Sequence, residues 1–198
     1  CIRGVGWENL YITDCSKDKT VEGRNFRDIL SSREKGAGIF DAFFDWMISI
    51  EGEAKMAMFG MCEEDLRTIL RSPLSSIISD SWVMGPTAGG KPHPRTYGTF
   101  PRVLGKYVRE EKVLTLEEAV RKMTSMPAGR IGLKKRGILG EGFFADIVIF
   151  DPSVVSDRAT YNSPHQYPEG IDHVIVNGTL VAEKGKLTGK RPGMILSK

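Results

Sequence analysis

Residues 54–80, AKMAMFGMCEEDLRTILRSPLSSIISD, contain the order of elements that decides the fold class. The largely apolar start of this stretch predicts a strand over residues 54–60. The acidic residues 63–65 open a helix that continues through residue 70, because acidic side chains favour the first turn of a helix. Residues 74–78 then predict a short buried strand. Strand, helix and strand in this order form a βαβ unit with parallel strands, so the sequence predicts an α/β fold.

Ahead of this stretch, the sequence predicts a strand over residues 7–13, a short helix over 26–30 and a longer helix over 39–50. The longer helix has apolar residues at helical spacing, which indicates one buried face. We expect that face to consist of Phe40, Phe43, Phe44, Met47 and Ile48. Asp41 and Asp45 should then lie on the exposed side.

Beyond residue 80, glycine and proline are frequent in residues 82–94, which predicts a long loop. Long loops inside compact domains are usually functional or disordered. Helices are predicted over residues 99–109 and 115–125, the second opened by a capping box in which Thr115 and Glu118 bond each other's backbone. We expect Pro127 to close this helical region.

From residue 132 onward the sequence predicts a small β unit. An apolar run over residues 146–150 indicates one strand, and residues 173–176 and 179–181 indicate two more. Asn177-Gly178 lies between the last two runs, and this pair is the strongest short signal for a hairpin.

Composition excludes several classes of function. The chain of 198 residues has 28 basic and 25 acidic residues, a net charge of +3 that is too small to indicate a nucleic-acid partner. No apolar run approaches the roughly 20 residues of a membrane helix, so we expect no membrane partner. The three cysteines show no metal-ligand spacing. Their odd number and the lack of a disulfide framework indicate a reducing compartment, and we expect a cytoplasmic protein.

Asp80 is the first candidate for chemistry because it follows the predicted strand 74–78. In α/β barrels the carboxyl ends of the strands build the active site. A carboxylate there ligates a metal ion or acts as a general base on water. Position alone leaves a second interpretation open, in which Asp80 caps the following turn.

The run KPHPR, residues 91–95, holds the next two candidates. Proline on both sides of His93 stiffens the chain and fixes the direction of its neighbours. Arg95 offers a planar, permanently charged fork suited to a carboxylate, and His93 offers a ligand or a proton carrier. The other interpretation is that both residues fasten the loop to the body of the protein. His165 and His173 have no metal spacing, and we expect structural roles for them.

Residues 91–109, KPHPRTYGTFPRVLGKYVR, resemble the signature of the N-acyl-D-amino-acid deacylases, the D-aminoacylase branch of the amidohydrolases. The resemblance continues through residues 114–128, LTLEEAVRKMTSMPA, and residues 145–152, ADIVIFDP. It places the chain in the C-terminal part of such an enzyme.

The resemblance implies a fold, a reaction and roles for two residues. The fold is a distorted (β/α)₈ barrel with a small β-sandwich. Residues 1–131 form the C-terminal part of the barrel with an inserted segment near the start, and residues 132–198 form sandwich strands. The reaction is zinc-dependent hydrolysis of an N-acyl-D-amino acid. Asp80 would serve as base and then acid beside the metal, and Arg95 would hold the substrate carboxylate. From its place in the run KPHPR, we expect His93 to be a further substrate contact.

The chain also departs from the family pattern. Ser81 follows the aspartate where the family usually has glycine, and the His-x-His pair and the cysteine that bridges the metals are absent. We therefore expect zinc only in the full-length enzyme, with every ligand except Asp80 outside this chain. We expect the chain alone to be inactive and to self-associate through exposed strand edges.

Two other functions stay open at this point. The chain could be a non-catalytic C-terminal module, or it could belong to an enzyme that opens cyclic amides, as hydantoinase relatives do. Arg95 argues against the cyclic substrate, because a ring amide offers no free carboxylate.

Overall fold

A computed structural model describes residues 6–34, 36, 38–85, 87 and 89–196. The chain divides into two compact units. Unit 1 comprises Cys1–Glu63 and Thr87–His93, and unit 2 comprises Glu64–Pro86 and Pro94–Lys198. Both units combine helices with strands, in agreement with the predicted mixed class. The division into residues 1–131 and 132–198 concerns the parts of a longer protein and stays a prediction.

In its described residues, unit 1 is a two-stranded sheet with two helices between its strands. Its elements are a 3-10 turn at Trp7–Asn9, β1 at Leu10–Cys15, a second 3-10 turn at Lys19–Val21, α1 at Phe26–Ser31, α2 at Ile39–Ser49 and β2 at Ala54–Met58. The strands are antiparallel, with Leu10 opposite Met58 and Cys15 opposite Ala54. The strand predicted over residues 54–60 therefore exists, but its membership of a parallel βαβ unit is wrong.

The core of unit 1 is apolar and partly aromatic. Its buried residues are Ile12, Cys15, Val21, Phe26, Ile29, Leu30, Ala42, Trp46 and Ile50. The rings of Phe26 and Trp46 meet edge to face at 5.4 Å. Asn25 starts α1 by accepting a hydrogen bond from the backbone of Asp28 at 2.8 Å, which is the usual role of asparagine before a helix.

The buried face of α2 differs from the predicted one. Phe43 and Met47 pack against the core, whereas Phe40, Phe44 and Ile48 are exposed. The residues that are buried deepest are Ala42, Trp46 and Ile50, which follow one another at intervals of four. Successive helical residues are separated by about 100°, so this row lies nearly opposite the exposed one. Both rows are apolar, and periodicity alone could not choose between them. Asp41 and Asp45 are exposed as predicted.

The described residues of unit 2 form four α-helices, a π-helical segment and a four-stranded sheet. The helices are α3 at Glu63–Arg71, α4 at Arg95–Arg102, the π-helical segment at Val103–Glu110, α5 at Leu116–Met123 and α6 at Ser125–Ile131. The strands are β3 at Ile147–Phe150, β4 at Ile171–Val176, β5 at Thr179–Glu183 and β6 at Lys186–Leu187. They pair in chain order and are all antiparallel.

The predicted hairpin is confirmed. Asn177 and Gly178 join β4 to β5 with φ angles of 47° and 77°, the conformation that this pair adopts at little cost. Arg136 fastens the turn, because its guanidinium binds the carboxylate of Asp146 and the side-chain oxygen of Asn177. Asp146 in turn accepts the backbone N–H of Asn177 at 2.9 Å.

The buried strand predicted over residues 74–78 is absent. Leu74 and Ile78 are 74% and 70% exposed, and only Ile77 is buried. A strand requires a neighbour, and in the described part of unit 2 the strands β3–β6 pair only with one another. The segment is held instead by the N–H of Ile77, which donates to the carbonyl of Lys122 at 3.1 Å.

Two helix boundaries also differ from prediction. The helix predicted to begin at residue 99 begins at Arg95, directly after Pro94, whose fixed φ favours a helix start. The helix continues through Pro101 and changes to the π-helical segment soon after it. We attribute the change to the proline, which removes one helical hydrogen bond. Pro127 does not close the helical region. It lies in the first turn of α6, where a backbone N–H has no helical partner to lose.

Glycines allow the helix of residues 95–110 to approach the segment 151–157 very closely. A Cβ at Gly98 would lie 2.9 Å from the Cβ of Asp157, and a Cβ at Gly105 would lie 2.7 Å from the carbonyl oxygen of Val155. The two glycines are about two turns apart and therefore share a face. Polar bonds reinforce the contact: Arg102 pairs with Asp157 at 3.1 Å, and Arg109 donates to the carbonyl of Val155 at 2.6 Å.

Gly105→Ala should therefore destabilise the chain by about 1–3 kcal/mol, because the added methyl group meets a backbone carbonyl that cannot move aside. Gly129→Ala is the matched control. Gly129 lies in α6, no described atom lies within 4 Å of an added methyl group, and alanine should stabilise a helix there by about 0.5–1 kcal/mol. Urea unfolding of both variants measures the difference, and equal effects would show that the close contact is unimportant.

Candidate functional site

Asp80 lies in an irregular segment and not at the end of a strand. Its φ angle is 45°, in the left-handed region that aspartate tolerates better than most residues. Its side chain is 78% exposed. The carboxylate is thus accessible to small molecules from solvent, which is a requirement for a catalytic or metal-binding role.

Asp80 and Arg95 face each other across an ion pair. Oδ2 of Asp80 lies 3.0 Å from Nη2 of Arg95, whose side chain is less exposed than that of its partner. Arg95 is the first residue of α4. A negative charge near a helix N-terminus is favoured by the helix dipole, whereas the positive charge of Arg95 is not. The pair therefore brings together the two residues that the sequence singled out, and it compensates the unfavourable position of the arginine.

A second bond runs beside the ion pair. The hydroxyls of Ser81 and Thr96 are 2.6 Å apart and share a hydrogen bond. Residues 79–81 consequently lie along the first turn of α4, joined to it at two successive positions. This arrangement restricts the direction of the Asp80 side chain more than one exposed ion pair would.

The next residue of α4, Tyr97, belongs to a small aromatic group. Its hydroxyl is 3.0 Å from Nδ1 of His165, and its ring meets that of Tyr167 edge to face at 5.8 Å. Burial raises the pKa of the Tyr97 phenol, and the neighbouring Tyr167 raises it further. The hydroxyl therefore stays protonated at neutral pH. His165, for which a structural role was expected, positions the Tyr97 ring.

A pocket of about 330 Å³ lies among these residues, all within unit 2. Its lining consists of Ser79, Ser81, Trp82, Val83, Met84, Thr96, Tyr97 and Tyr167. The lining is apolar, aromatic or hydroxylic, and none of these side chains carries a charge at neutral pH. The indole of Trp82 is 85% exposed, so an apolar ligand would bury surface that water now contacts.

The proposed role of His93 stays a prediction. His93 is an exposed residue at the end of unit 1, whereas Arg95 belongs to unit 2. Of the other candidate histidines, His173 lies on β4 and its Nε2 is 3.3 Å from Glu183 on β5. Its place in the sheet agrees with the structural role expected for it.

The described residues contain no group of three or more His, Cys, Asp or Glu side chains that could hold a metal ion. Asp80 is paired with Arg95, and the described lining of the pocket adds no carboxylate. The residues present therefore do not form a metal centre by themselves. The helices of the described residues also include none with the length and apolar character needed to span a membrane.

Sequence reasoning missed the aromatic wall of the pocket, formed by Trp82, Tyr97 and Tyr167. One signal was present: Pro94 marks a helix start, which would have placed Tyr97 in the first turn beside Arg95. Tyr167 comes from a segment far along the chain, and no local sequence pattern indicated that it would line the pocket.

Comparisons with known protein families and sequences indicate the same family for this chain. A family profile described as the amidohydrolase family matches residues 31–182. The D-aminoacylase of Alcaligenes xylosoxydans xylosoxydans is 38% identical over 187 residues, which is 94% of this chain and 36% of that protein. The chain thus spans about a third of the length of the relatives it matches.

Solved structures indicate the same family as the sequence comparisons. A D-aminoacylase structure described by its binuclear metal centre has a TM-score of 0.78 and 38% identity, covering 91% of this chain and 36% of its own. The N-acyl-D-glutamate deacylase of Bordetella bronchiseptica, in complex with zinc and a phosphonate mimic of the tetrahedral intermediate, has a TM-score of 0.74 and 35% identity. It matches 89% of this chain and 36% of its own. The resemblance found in the sequence is confirmed.

Proposed function

Because the chain belongs to the amidohydrolase family, we propose that it is the C-terminal part of a hydrolase that cleaves N-acyl-D-amino acids into a carboxylate and a D-amino acid. The similarity to D-aminoacylase along 94% of the chain supports this substrate class. The observation that carries the proposal is the meeting of an accessible carboxylate, Asp80, with a fixed guanidinium, Arg95, beside a pocket.

The proposed fold of the longer protein is a distorted (β/α)₈ barrel with a small β-sandwich. Residues 1–131 would belong to the barrel, with an inserted segment near the start, and residues 132–198 to the sandwich. The antiparallel sheet β3–β6 supports the second assignment. The exposed apolar side chains of residues 74–78 support the first, because a barrel would give this segment the neighbouring strands that unit 2 lacks.

We propose that Asp80 moves the proton in this reaction. Its carboxylate would take a proton from the attacking water and then deliver one to the nitrogen of the leaving amine. Zinc is the cofactor proposed for the longer protein, supported by the metal-containing relatives. The described residues of this chain supply one carboxylate and no cluster, so no step is assigned to the metal.

Arg95 is proposed to bind the carboxylate of the substrate. A guanidinium presents five N–H donors in a plane, and this geometry matches a carboxylate better than an ammonium group does. Arg95 starts α4 and is held by Asp80, so its position is defined before the substrate arrives. A preorganised charge loses less freedom on binding. His93 stays a proposed substrate contact in the longer protein.

The pocket is proposed to receive the side chain of the amino acid. The side chain and the carboxylate share one carbon atom, so a substrate held by Arg95 places its side chain next to Thr96 and Tyr97. An uncharged lining favours an uncharged side chain, because a carboxylate would lose water without gaining a partner.

For this chain taken alone we propose no hydrolysis and no zinc binding, since the described residues form no metal centre. In that state it is a non-catalytic module. Its exposed apolar strand residues, among them Val148 and Ile149, would favour association with other copies of itself in the proposed cytoplasmic setting.

Asp80→Asn in the longer enzyme should lower kcat by a factor on the order of 10² to 10⁴, the usual value of a general acid–base group, with little change in KM. The free energy of unfolding should change by less than about 1 kcal/mol, because the ion pair is exposed. Asp45→Asn, an exposed aspartate on α2, is the control and should leave both quantities unchanged. Full activity of Asp80→Asn on N-acetyl-D-leucine would show that Asp80 does not transfer the proton in the reaction.

Arg95→Ala should chiefly raise KM, because a severed charge pair costs about 2–5 kcal/mol. Lysine at the same position should recover only part of the loss, since it cannot form two parallel bonds. The decisive comparison is a substrate whose carboxylate is amidated. The wild type should process it poorly, and Arg95→Ala should process it no worse. An equal loss on acid and amide would make Arg95 a structural residue.

The enzyme should prefer N-acetyl-D-leucine over N-acetyl-D-glutamate by about tenfold or more in kcat/KM, because the pocket offers no cation to a second carboxylate. Trp82→Ala should reduce this preference by removing apolar surface. Leu139→Ala, an exposed apolar residue outside the lining, serves as the matched control. A wild-type preference for the glutamate substrate would contradict the proposed occupant of the pocket.

A further inference from the structure

Lys122 of α5 is completely buried, which is unusual for a lysine. Its ammonium group lies among oxygen atoms of the segment that follows α3. It donates to the carbonyl of Ser72, and to the carbonyl and hydroxyl oxygens of Ser75 at 3.1 Å and 3.0 Å. The carboxylate of Glu118, one turn earlier on α5, lies 3.8 Å away and supplies the opposite charge.

This set of acceptors satisfies the lysine. An ammonium group has three donors, and three oxygen atoms of Ser72 and Ser75 receive them. Ser72 follows the last residue of α3, and a cation there also complements the negative end of the helix dipole. A buried charge is tolerated only with such complete bonding, so the position of the segment is coupled to that of the lysine.

The backbone of Lys122 holds the same segment a second time. Its carbonyl accepts the N–H of Ile77 at 3.1 Å. Between α3 and Asp80 the chain forms no strand, so these bonds replace the ladder that would otherwise fix it. Three attachment points, at Ser72, Ser75 and Ile77, precede Asp80 by only a few residues.

We propose that Lys122 is a positioning residue that fixes the place of the Asp80 carboxylate from α5. It touches neither substrate nor reacting atoms in this role. The proposal rests on the proposed function of Asp80 as the proton carrier. A proton carrier displaced by about 1 Å loses much of its effect, so a remote anchor of this segment controls the rate of the chemical step.

Lys122→Met in the longer enzyme should lower kcat for N-acetyl-D-leucine by roughly 10- to 100-fold with less than a threefold change in KM, after correction for the folded fraction by circular dichroism. The pH profile of kcat should also shift, since the surroundings of Asp80 change. Neither change is expected from a loss of stability alone. Lys134→Met, an exposed lysine in the loop after α6, is the control and should leave kcat, KM and the profile unchanged.

Ser75→Ala provides the test if Lys122→Met does not fold, because it removes one of the three acceptors and leaves the lysine in place. Its kcat should fall by about threefold or more with KM unchanged. A kcat within a factor of about two of wild type in the folded variants, with an unchanged pH profile, would overturn the positioning role.

Hydrogen exchange of the 198-residue chain separates this proposal from the proposed function, because it requires no activity. In Ser75→Ala the amide of Ile77, which is bonded to the carbonyl of Lys122, should exchange at least about fivefold faster, while those of β4 and β5 keep their wild-type rates. Faster exchange together with a wild-type enzyme inactive on every N-acyl-D-amino acid would refute the proposed function and retain Lys122 as the anchor of the segment. Unchanged exchange would refute the anchor.

Discussion

Gly105 brings the π-helical segment so close to Val155 that a single added carbon would lie 2.7 Å from its carbonyl oxygen. This contact joins the helical part of unit 2 to the chain that carries the sheet. Val155 is fully buried at this contact, and the segment that makes it continues the helix that begins at Arg95. The first turn of that helix then meets residues 79–81 on one side and Tyr167 on the other. The geometry of the candidate site is thus a consequence of backbone packing at a distance from it.

Elements that depend on a few neighbouring residues were predictable from the sequence. The turn at Asn177-Gly178 and the start of α5 at Thr115 follow from the conformational and capping preferences of those residues, and both are present. In both cases the physical cause acts within a few positions of the chain, so a single sequence contains the necessary information. Asp80 and Arg95 were singled out separately, Asp80 because it follows a predicted strand that is absent, and their ion pair was not predicted. Their roles stay predictions.

Elements that depend on distant partners were not predictable. Residues 74–78 have the composition of a buried strand, but a strand forms only beside another, and in the described part of unit 2 the strands β3–β6 pair only with one another. The apolar rows on both sides of α2 could not reveal which one faces the core. From the sequence, Lys122 would be taken for an ordinary surface lysine. Only the fold shows that its ammonium group donates hydrogen bonds to oxygen atoms fifty residues away. The hydrogen bonds of the ammonium group offset a desolvation penalty of several kcal/mol, and the sequence alone does not indicate that this penalty arises.

The distribution of tryptophan gives the molecule two separate optical reporters. Trp46 is 1% exposed in the core of unit 1, and Trp82 is 85% exposed at the pocket of unit 2. An indole in an apolar core emits at shorter wavelength than one in water. Melting of unit 1 would therefore move emission towards the red, whereas a ligand that covers Trp82 would move it towards the blue. Trp7, the third indole, packs against Phe26 in unit 1, so its emission should change together with that of Trp46. Intrinsic fluorescence thus distinguishes unfolding from occupation of the pocket by the sign of the spectral change.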